Sequence, residues 1–569
     1  MAMGYYKNLL LGIAAVVLLT SPAIADPLPA APDPAPVQTN TPNPKAAAET
    51  PSTPAATPTA TATPSSEAAS AAPQQTQDDP VLAAARAKLA AEPAAEDEHD
   101  RDDQKALVEF YNSRHGDGLW VTASGLKPEA KALAAEIANA DHYALDVWRF
   151  KVPKLADGAL TATDTDSLAD AEITYSKAAL LYARDARGGR IPDPSAQLTT
   201  NLDRRPQWIE PKIVIDALAA THEPDAYLRS LEPQHPQFEK LRQIYITMLP
   251  KDGKGKLSPA AKRIRANMEE WRWMWLDMGN FYVLNNVPEF MQYVYKDGKI
   301  IRSEKIVAGL VDKQTTIFSR PLKYVVLRPA WRVPESIMVN ELWPNLIRGG
   351  GMMTKYGLQI RSKDGSRNID YRKVDWASTD IRNFEVIQPP GRRSVLGHVK
   401  FSFPSQHTIF MHDTPDKWMF KPAVRTLSHG CLRVWKPMDL AKMILKEDKG
   451  WDAAKVDELD RTGPLNNEIP ITKEIPIHIV YFTAWVTDDG KLKTFPDVYG
   501  HERRITQALD GQWSKINKGH DHLAPVEPDF NPEALAARTR DNDVDDEQYP
   551  ARQNATLGNM IGNALGLSN

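Results

Sequence analysis

The chain has 569 residues, 42% of them hydrophobic and 25% charged, a globular balance with room for roughly three to four domains. Its 69 Lys+Arg against 73 Asp+Glu leave a formal net charge of -4, which excludes the concentrated basic face of a nucleic-acid binder. Cys431 is the sole cysteine, so a disulfide framework, a CxxC redox pair, an all-cysteine zinc site and an N-terminal lipoprotein anchor are excluded too.

MAMGYYK, an apolar run from Leu9 to Thr20, and small residues at Ala23 and Ala25 predict a signal peptide over residues 1–25. An uncleaved anchor is the alternative, but the run falls short of the about 20 residues that a comfortable span needs. The expectation is an exported, periplasmic protein, soluble after cleavage. Thirteen prolines between Pro27 and Pro80, mixed with Ala, Thr and Ser, cannot build a core. With the charged collar Glu96–Asp103, they predict a disordered linker over 26–103.

From Gln104, ALVEFYNSRHGDGLW, PEAKALAAEIANA and DSLADAEITYSKAALLYARDARGG place apolar residues at helical spacing between Gly and Pro breaks. LRSLEPQHPQFEKLRQIYITML and AAKRIRANMEEWRWMW continue it, giving a helical domain over 104–278. At Phe281 the texture turns to β: FYVLNN, FMQYVYKDGKIIRSEKIVAG with a KDGK hairpin, and KYVVLRPAWRVP. An irregular, aromatic insertion at about 335–388 reads as a flap. β texture returns in VLGHVKFSFP, TIFMHD and IPIHIVYFTAWV, completing a mainly-β domain over 279–500. The fold class is therefore α+β. Residues 501–569 read as a polar, largely disordered extension.

The chemistry concentrates in IFMHDTPDKWMFKPAVRTLSHGCLRVW. A lone thiol in an oxidising compartment usually has a use, and a cysteine nucleophile needs a base, an orienting partner for that base, and oxyanion donors. His412 would take the thiol proton, with its ring N–H held by the Asp413 backbone carbonyl. Gly430 lets the backbone approach substrate closely, so its amide and that of Cys431 are candidate oxyanion donors. His429 either contacts substrate, tunes the thiol or supports the loop. Ser428 sits where it could touch substrate or form the turn, and Arg433 either binds a carboxylate bidentately or ties down the loop. A zinc site on His412, His429 and Cys431 is the competing reading, weakened by the lack of a fourth ligand; no metal or cofactor is assigned.

These residues resemble the YkuD-type L,D-transpeptidases, in which a histidine precedes [S/T]HGC by a couple of dozen residues. Here that reads His412, then Ser428, His429, Gly430, Cys431 and Arg433. HDTP, PAWRVPESI, QPPG, LGHVKFSFPS and LRSLEPQHPQFEKLR are similar to the long, YcbB-like Gram-negative branch. The resemblance implies a YkuD-like catalytic domain with a lid insertion at about 335–388, plus a helical scaffold domain. It implies attack by Cys431 on the L,D bond of a peptidoglycan tetrapeptide stem, release of D-Ala, and resolution by a diamino-acid side-chain amine to give 3→3 crosslinks. Water or a protein lysine as acceptor would make an L,D-carboxypeptidase or an outer-membrane-protein attachment enzyme, and a non-enzymatic wall-binding scaffold is the remaining alternative. Peptidoglycan stem peptides are the implied partners, with penicillin-binding proteins or outer-membrane proteins beside them, and carbapenems would be captured by the same thiol. Two departures stand out: fewer than about twenty residues separate Tyr245 from Arg263, too few for a peptidoglycan-binding module, and Arg392, Arg393 and Ser394 replace an Asn-containing turn.

Overall fold

Strand alternation does the first work of placing the site. In VLGHVKFSFP and TIFMHD it sends Val399, Phe401 and Met411 to the fully buried core, and turns Lys400 and His412 to the opposite face. The computed structural model describes residues 79–153, 164–251 and 255–542. The predicted signal peptide, most of the linker and the end of the tail lie outside the described residues.

The scaffold half is helical. Its longest helix, Thr165–Gly188, starts where the Asp164 carboxylate accepts from Ser167 N at 2.8 Å and stops at Gly189, whose φ of 83° an L side chain would resist. Leu168, Glu172, Tyr175, Ala179, Tyr182 and Ala186 recur at three- and four-residue spacing and are buried among the surrounding helices. Buried Glu172 would be costly unpaired; its carboxylate accepts from the Trp120 and Val121 amides at 2.8 and 2.9 Å.

The helix Pro259–Arg272 joins the halves. Ser258 caps it, and Ala261, Ile264, Met268 and Trp271 form one face packed on Tyr282, Leu284, Val480 and Phe482 of the catalytic sheet. The Trp271 and Phe482 rings stack at 4.3 Å. Fully buried Arg272 donates to Glu232 Oε2 at 2.8 Å and to the Tyr143 carbonyl at 2.6 Å. A guanidinium withdrawn from water in this way needs those acceptors.

The β half is built on an eleven-stranded sheet among the described residues. Across it run Asn467–Pro470, Tyr324–Leu327, Val399–Ser402, Met411–His412, Leu432–Val434, Lys299–Gly309, Met291–Lys296, Phe281–Asn286, Pro476–Val480 and Ser319–Pro321, while Thr426–Ser428 pairs with Lys299–Gly309. The α+β class with a helical scaffold and a mainly-β catalytic domain is what the sequence predicts.

Three boundaries differ from the sequence reading. Residues 79–103 are not linker: helices Pro80–Ala91 and Glu98–Ser113 belong to the scaffold, with Val81, Leu82, Ala85 and Leu89 buried. The insertion is not irregular. Trp331–Arg332, Gln359–Ser362, Asn368–Ile369 and Phe384–Gln388 form a four-stranded sheet, and a helical run over residues 335–347 joins its core through Val339, Leu342, Trp343 and Leu346, with Trp376 beside them. The extension is not disordered as far as residue 542. Helix His501–Leu509 adds Ile505, Ala508 and Leu509 to the main core, and Val526 and Phe530 pack on the insertion. Apolar anchors in each segment supply the burial that its overall polarity obscured.

Candidate active site

The strands Met411–His412 and Leu432–Val434 pair in parallel, with Met411 opposite Leu432 and His412 opposite Arg433. Partners in register share a sheet face, so Met411 and Leu432 enter the core while His412 and Arg433 emerge together on the other side. Lys400 lies opposite His412 on the next strand and joins that face. Two residues before His412 and Arg433, Phe410 and Cys431 extend the row toward a cavity of about 1650 Å³. Phe410, His412, Arg433, His429, Gly430 and Cys431 all line that cavity.

The cysteine turn is tightly fastened. Ser428 Oγ donates to the Cys431 carbonyl at 2.6 Å, and the Gly430 amide approaches the same Oγ at 3.3 Å. Thr315 Oγ1 donates to the Gly430 carbonyl at 2.6 Å and accepts from the Gly309 amide at 2.9 Å. Gly430 has φ 108°, and a Cβ on Gly309 would fall 2.9 Å from Gly430 Cα. Both glycines are needed, one for its backbone angle and one for the close approach.

These contacts sort the predicted residues. The His412 Nδ1–H donates to the Asp413 carbonyl, the partner expected from sequence. Because a carbonyl only accepts, Nδ1 carries the proton and Nε2 presents a lone pair. Asp413 is itself braced, its carboxylate accepting from Lys417 Nζ at 2.5 Å and from the His398 amide at 3.0 Å. The Gly430 amide faces Ser428 Oγ, not the oxyanion position expected for it, and of the two roles left open to Ser428 the turn is the one observed: 2% exposed, it spends its hydroxyl on the Cys431 carbonyl. His429 Nε2 donates to Glu341 Oε1 at 2.7 Å, reaching the insertion rather than open cavity. Arg433 donates to Thr414 Oγ1 at 3.1 Å and Asp416 Oδ2 at 3.4 Å, while its buried Nε has no hydrogen-bond partner among the described residues.

Electrostatics favour a neutral pair. Burial, followed by the charges of Arg433 and Lys400, pulls the His412 imidazole down to about 3, with the Asp413 carbonyl opposing the shift. Burial pushes the Cys431 thiol up to about 11, against the pull of a Phe410 backbone hydrogen bond and of Lys400 and Arg433. The thiol also approaches the Thr408 carbonyl, at 3.8 Å.

Two residues of the site escaped the sequence reading. Lys400 was legible as the outward member of the alternating VKF triplet. Glu341 was not, because it sits on a π-helical turn, Met338–Leu342, and meets His429 and Lys313 Nζ (2.8 Å) across long stretches of chain. Burial raises the Glu341 carboxyl, but the hydrogen bonds and charges of His429 and Lys313 outweigh it and hold the group at about 2. Among the described residues no group of three or more His, Cys, Asp or Glu side chains could hold a metal ion, and no helix is long and apolar enough to cross a membrane.

Two family models match the chain. Residues 105–244 match the Scaffold domain, and residues 280–456 match the YkuD L,D-transpeptidase catalytic domain. A Haemophilus influenzae protein named "Putative L,D-transpeptidase" is 30% identical over 233 residues, which are 41% of this chain and 47% of that protein. The chain thus matches about half the length of this curated relative. A solved structure of the Ldtfm-avibactam carbamoyl enzyme covers 36% of this chain and 50% of its own at 11% identity, with a TM-score of 0.18.

Proposed function

With a YkuD L,D-transpeptidase catalytic domain set behind a Scaffold domain as the premise, we propose that this chain is an exported, periplasmic peptidoglycan L,D-transpeptidase whose nucleophile is Cys431. The observation that carries the proposal is the shared sheet face, where a partly exposed thiol and an imidazole with its Nε2 lone pair free line one cavity.

As Cys431 Sγ attacks the carbonyl between the diamino acid and the terminal D-Ala of a tetrapeptide stem, His412 Nε2 takes the thiol proton. The tetrahedral oxyanion collapses to a thioester, and the imidazolium returns the proton to the departing D-Ala amine. A side-chain amine of a second stem then attacks the thioester, gives a proton to His412, and leaves as a 3→3 crosslink while the thiol is restored. With the Gly430 amide turned to Ser428, the oxyanion falls to the Cys431 amide, which makes no hydrogen bond among the described residues. Such a donor is worth about 3 kcal/mol in the transition state. Arg433, which lines the cavity, is the cation placed to meet a stem carboxylate.

The test is incubation of the protein with a disaccharide-tetrapeptide, followed by intact mass and product analysis. A stem adduct on Cys431 with 3→3 dimers is the expected result. Tripeptide alone would make water the acceptor and the enzyme a carboxypeptidase. Absence of any adduct would overturn the nucleophile.

A further inference from the structure

A second cluster of titratable groups borders the same cavity and takes no part in the chemistry above. His407 and His522 line it, and Asp203 stands behind His407. The His407 ring is fully buried, with both nitrogens engaged: Nε2 with Asp203 Oδ2 at 2.9 Å, and Nδ1 with His522 Nε2 at 2.8 Å. His522 Nδ1 lies 3.0 Å from Thr200 Oγ1. A carboxylate only accepts, which fixes every proton in this relay for two neutral rings. His407 Nε2–H donates to Asp203, His522 Nε2–H donates to His407 Nδ1, and the Thr200 hydroxyl donates to His522 Nδ1. Thr316 Oγ1, 3.2 Å from His522 Nε2, gives its own proton to Asn201 Oδ1 at 3.1 Å. Two ring nitrogens 2.8 Å apart share a hydrogen bond rather than a metal ion, in keeping with the absence of a metal group among the described residues.

The relay holds a strained piece of backbone. His407 belongs to a turn in which its own amide donates to Ser405 Oγ at 3.3 Å and the Thr408 amide to the Ser405 carbonyl at 3.4 Å. Thr408 follows with φ 53°, a conformation that a β-branched residue adopts only when its surroundings impose it. Its carbonyl is the one facing Cys431 Sγ, and two residues on, the Phe410 carbonyl accepts from the Leu432 amide at 3.0 Å. His407 is therefore the side chain that pins the turn, and His522 is what satisfies the ring nitrogen facing the cavity.

We propose that His522, carried by the segment beyond the main core, is a positioning residue for the Cys431 thiol: by holding His407 it sets the 405–408 turn and aims the Thr408 carbonyl at Sγ. The inference rests on the reading of Cys431 as nucleophile. It makes the C-terminal segment part of the catalytic apparatus, joined through Asp203 and Thr200 to the scaffold stretch between helices Pro194–Gln197 and Pro211–Ala220.

Two near-isosteres separate positioning from simple anchoring. His522→Gln keeps an N–H at the reach of Nε2 and so the bond to His407. His522→Asn keeps only an oxygen at the place of Nδ1 and so only the bond from Thr200. The segment beyond Ile516 gives no residue to the main core, so both variants keep the fold, as thermal unfolding will check. The readout is alkylation of the sole cysteine by iodoacetamide in the full chain, followed by intact mass across pH. Sγ meets the Thr408 carbonyl and, two residues on, the Phe410 backbone, so displacing the turn in the Asn variant should change the rate at pH 9 about fivefold and move the alkylation midpoint. The Gln variant should stay within about twofold of the parent. In parallel, the Asn variant should lose turnover of the tetrapeptide in kcat, with KM unchanged. An Asn variant alkylated at the parent rate, or a Gln variant displaced as far as Asn, overturns the proposal. A parent that is alkylated normally yet turns over no stem peptide refutes the proposed reaction instead, and the Asn–Gln contrast still decides the role of His522.

Discussion

Raising the pH should awaken the Cys431 thiol much later than it would an ordinary cysteine. With the thiol at about 11, only about one molecule in ten thousand carries a thiolate at pH 7, against about 3% for an unperturbed thiol. The thiolate share should then climb tenfold per pH unit, reaching about 1% at pH 9. Because the imidazole is held at about 3, far below the thiol, proton transfer between them leaves the resting pair neutral across the physiological range. The assay is the second-order rate of iodoacetamide addition, followed by intact mass from pH 6 to 10, a single-site measurement because the chain has one cysteine. Log rate should rise linearly with unit slope, and His412→Ala should leave that slope intact while abolishing acyl transfer. A rate already flat between pH 6 and 9 would mean a resting thiolate–imidazolium pair. It would refute the electrostatic reasoning, and with it the conclusion that the proton leaves the thiol only as substrate is attacked.

Other expectations follow from the same contacts. Cys431→Ala should abolish stem adducts with the unfolding midpoint essentially unchanged, measured by mass spectrometry and thermal melts. Gly430→Ala places a Cβ at φ 108° and should cost about 1 kcal/mol or more of stability while displacing the thiol, seen as a lower melting point and at least tenfold slower acylation. Glu341→Gln removes the charge that meets His429 and Lys313 and should weaken attachment of the insertion by about 2 kcal/mol, read as faster proteolysis within residues 335–388. A carboxyl depressed from 4.5 to about 2 lends stability that is present above pH 4.5 and is lost as pH falls toward 2, so the parent should show an acid-induced release in that window and the Gln variant should not. Arg433→Ala should weaken turnover through binding, raising KM for the stem, without preventing acylation.

Cys431, His412 and the Asp413 carbonyl that His412 meets were legible as candidates because they sit within one segment whose residue types have few alternative uses. What escaped is held by contacts distant in sequence. Glu341 and His429 are 88 residues apart, and Asp203 and His407 are 204 apart, so neither pairing leaves a local pattern. The insertion read as irregular because its helical run over residues 335–347 is interrupted by the π-helical turn Met338–Leu342, which breaks the regular period, and because its strands are only two to five residues long. The first scaffold helix was absorbed into the linker because PVLAAARAKLAA continues the alanine-rich composition before it, although Val81, Leu82 and Leu89 mark a buried stripe. The segment after Ile516 read as tail because a few isolated anchors, rather than a repeating face, hold it down. Ser428 was open to either role from sequence alone, and the geometry of the turn consumes its hydroxyl.

The relay from Thr200 through His522 and His407 to Asp203 also orders events in time. Its members lie up to 322 residues apart, so a chain emerging from its N-terminus can fold the scaffold and pair most of the sheet while one place in the relay still stands empty. Until residue 522 arrives, the His407 nitrogen facing the cavity has no ring to meet, and the turn beneath the thiol is free to relax. Maturation of the reactive centre is then among the last steps of biogenesis, and a nascent or prematurely ended chain would carry its only thiol without the setting that governs it.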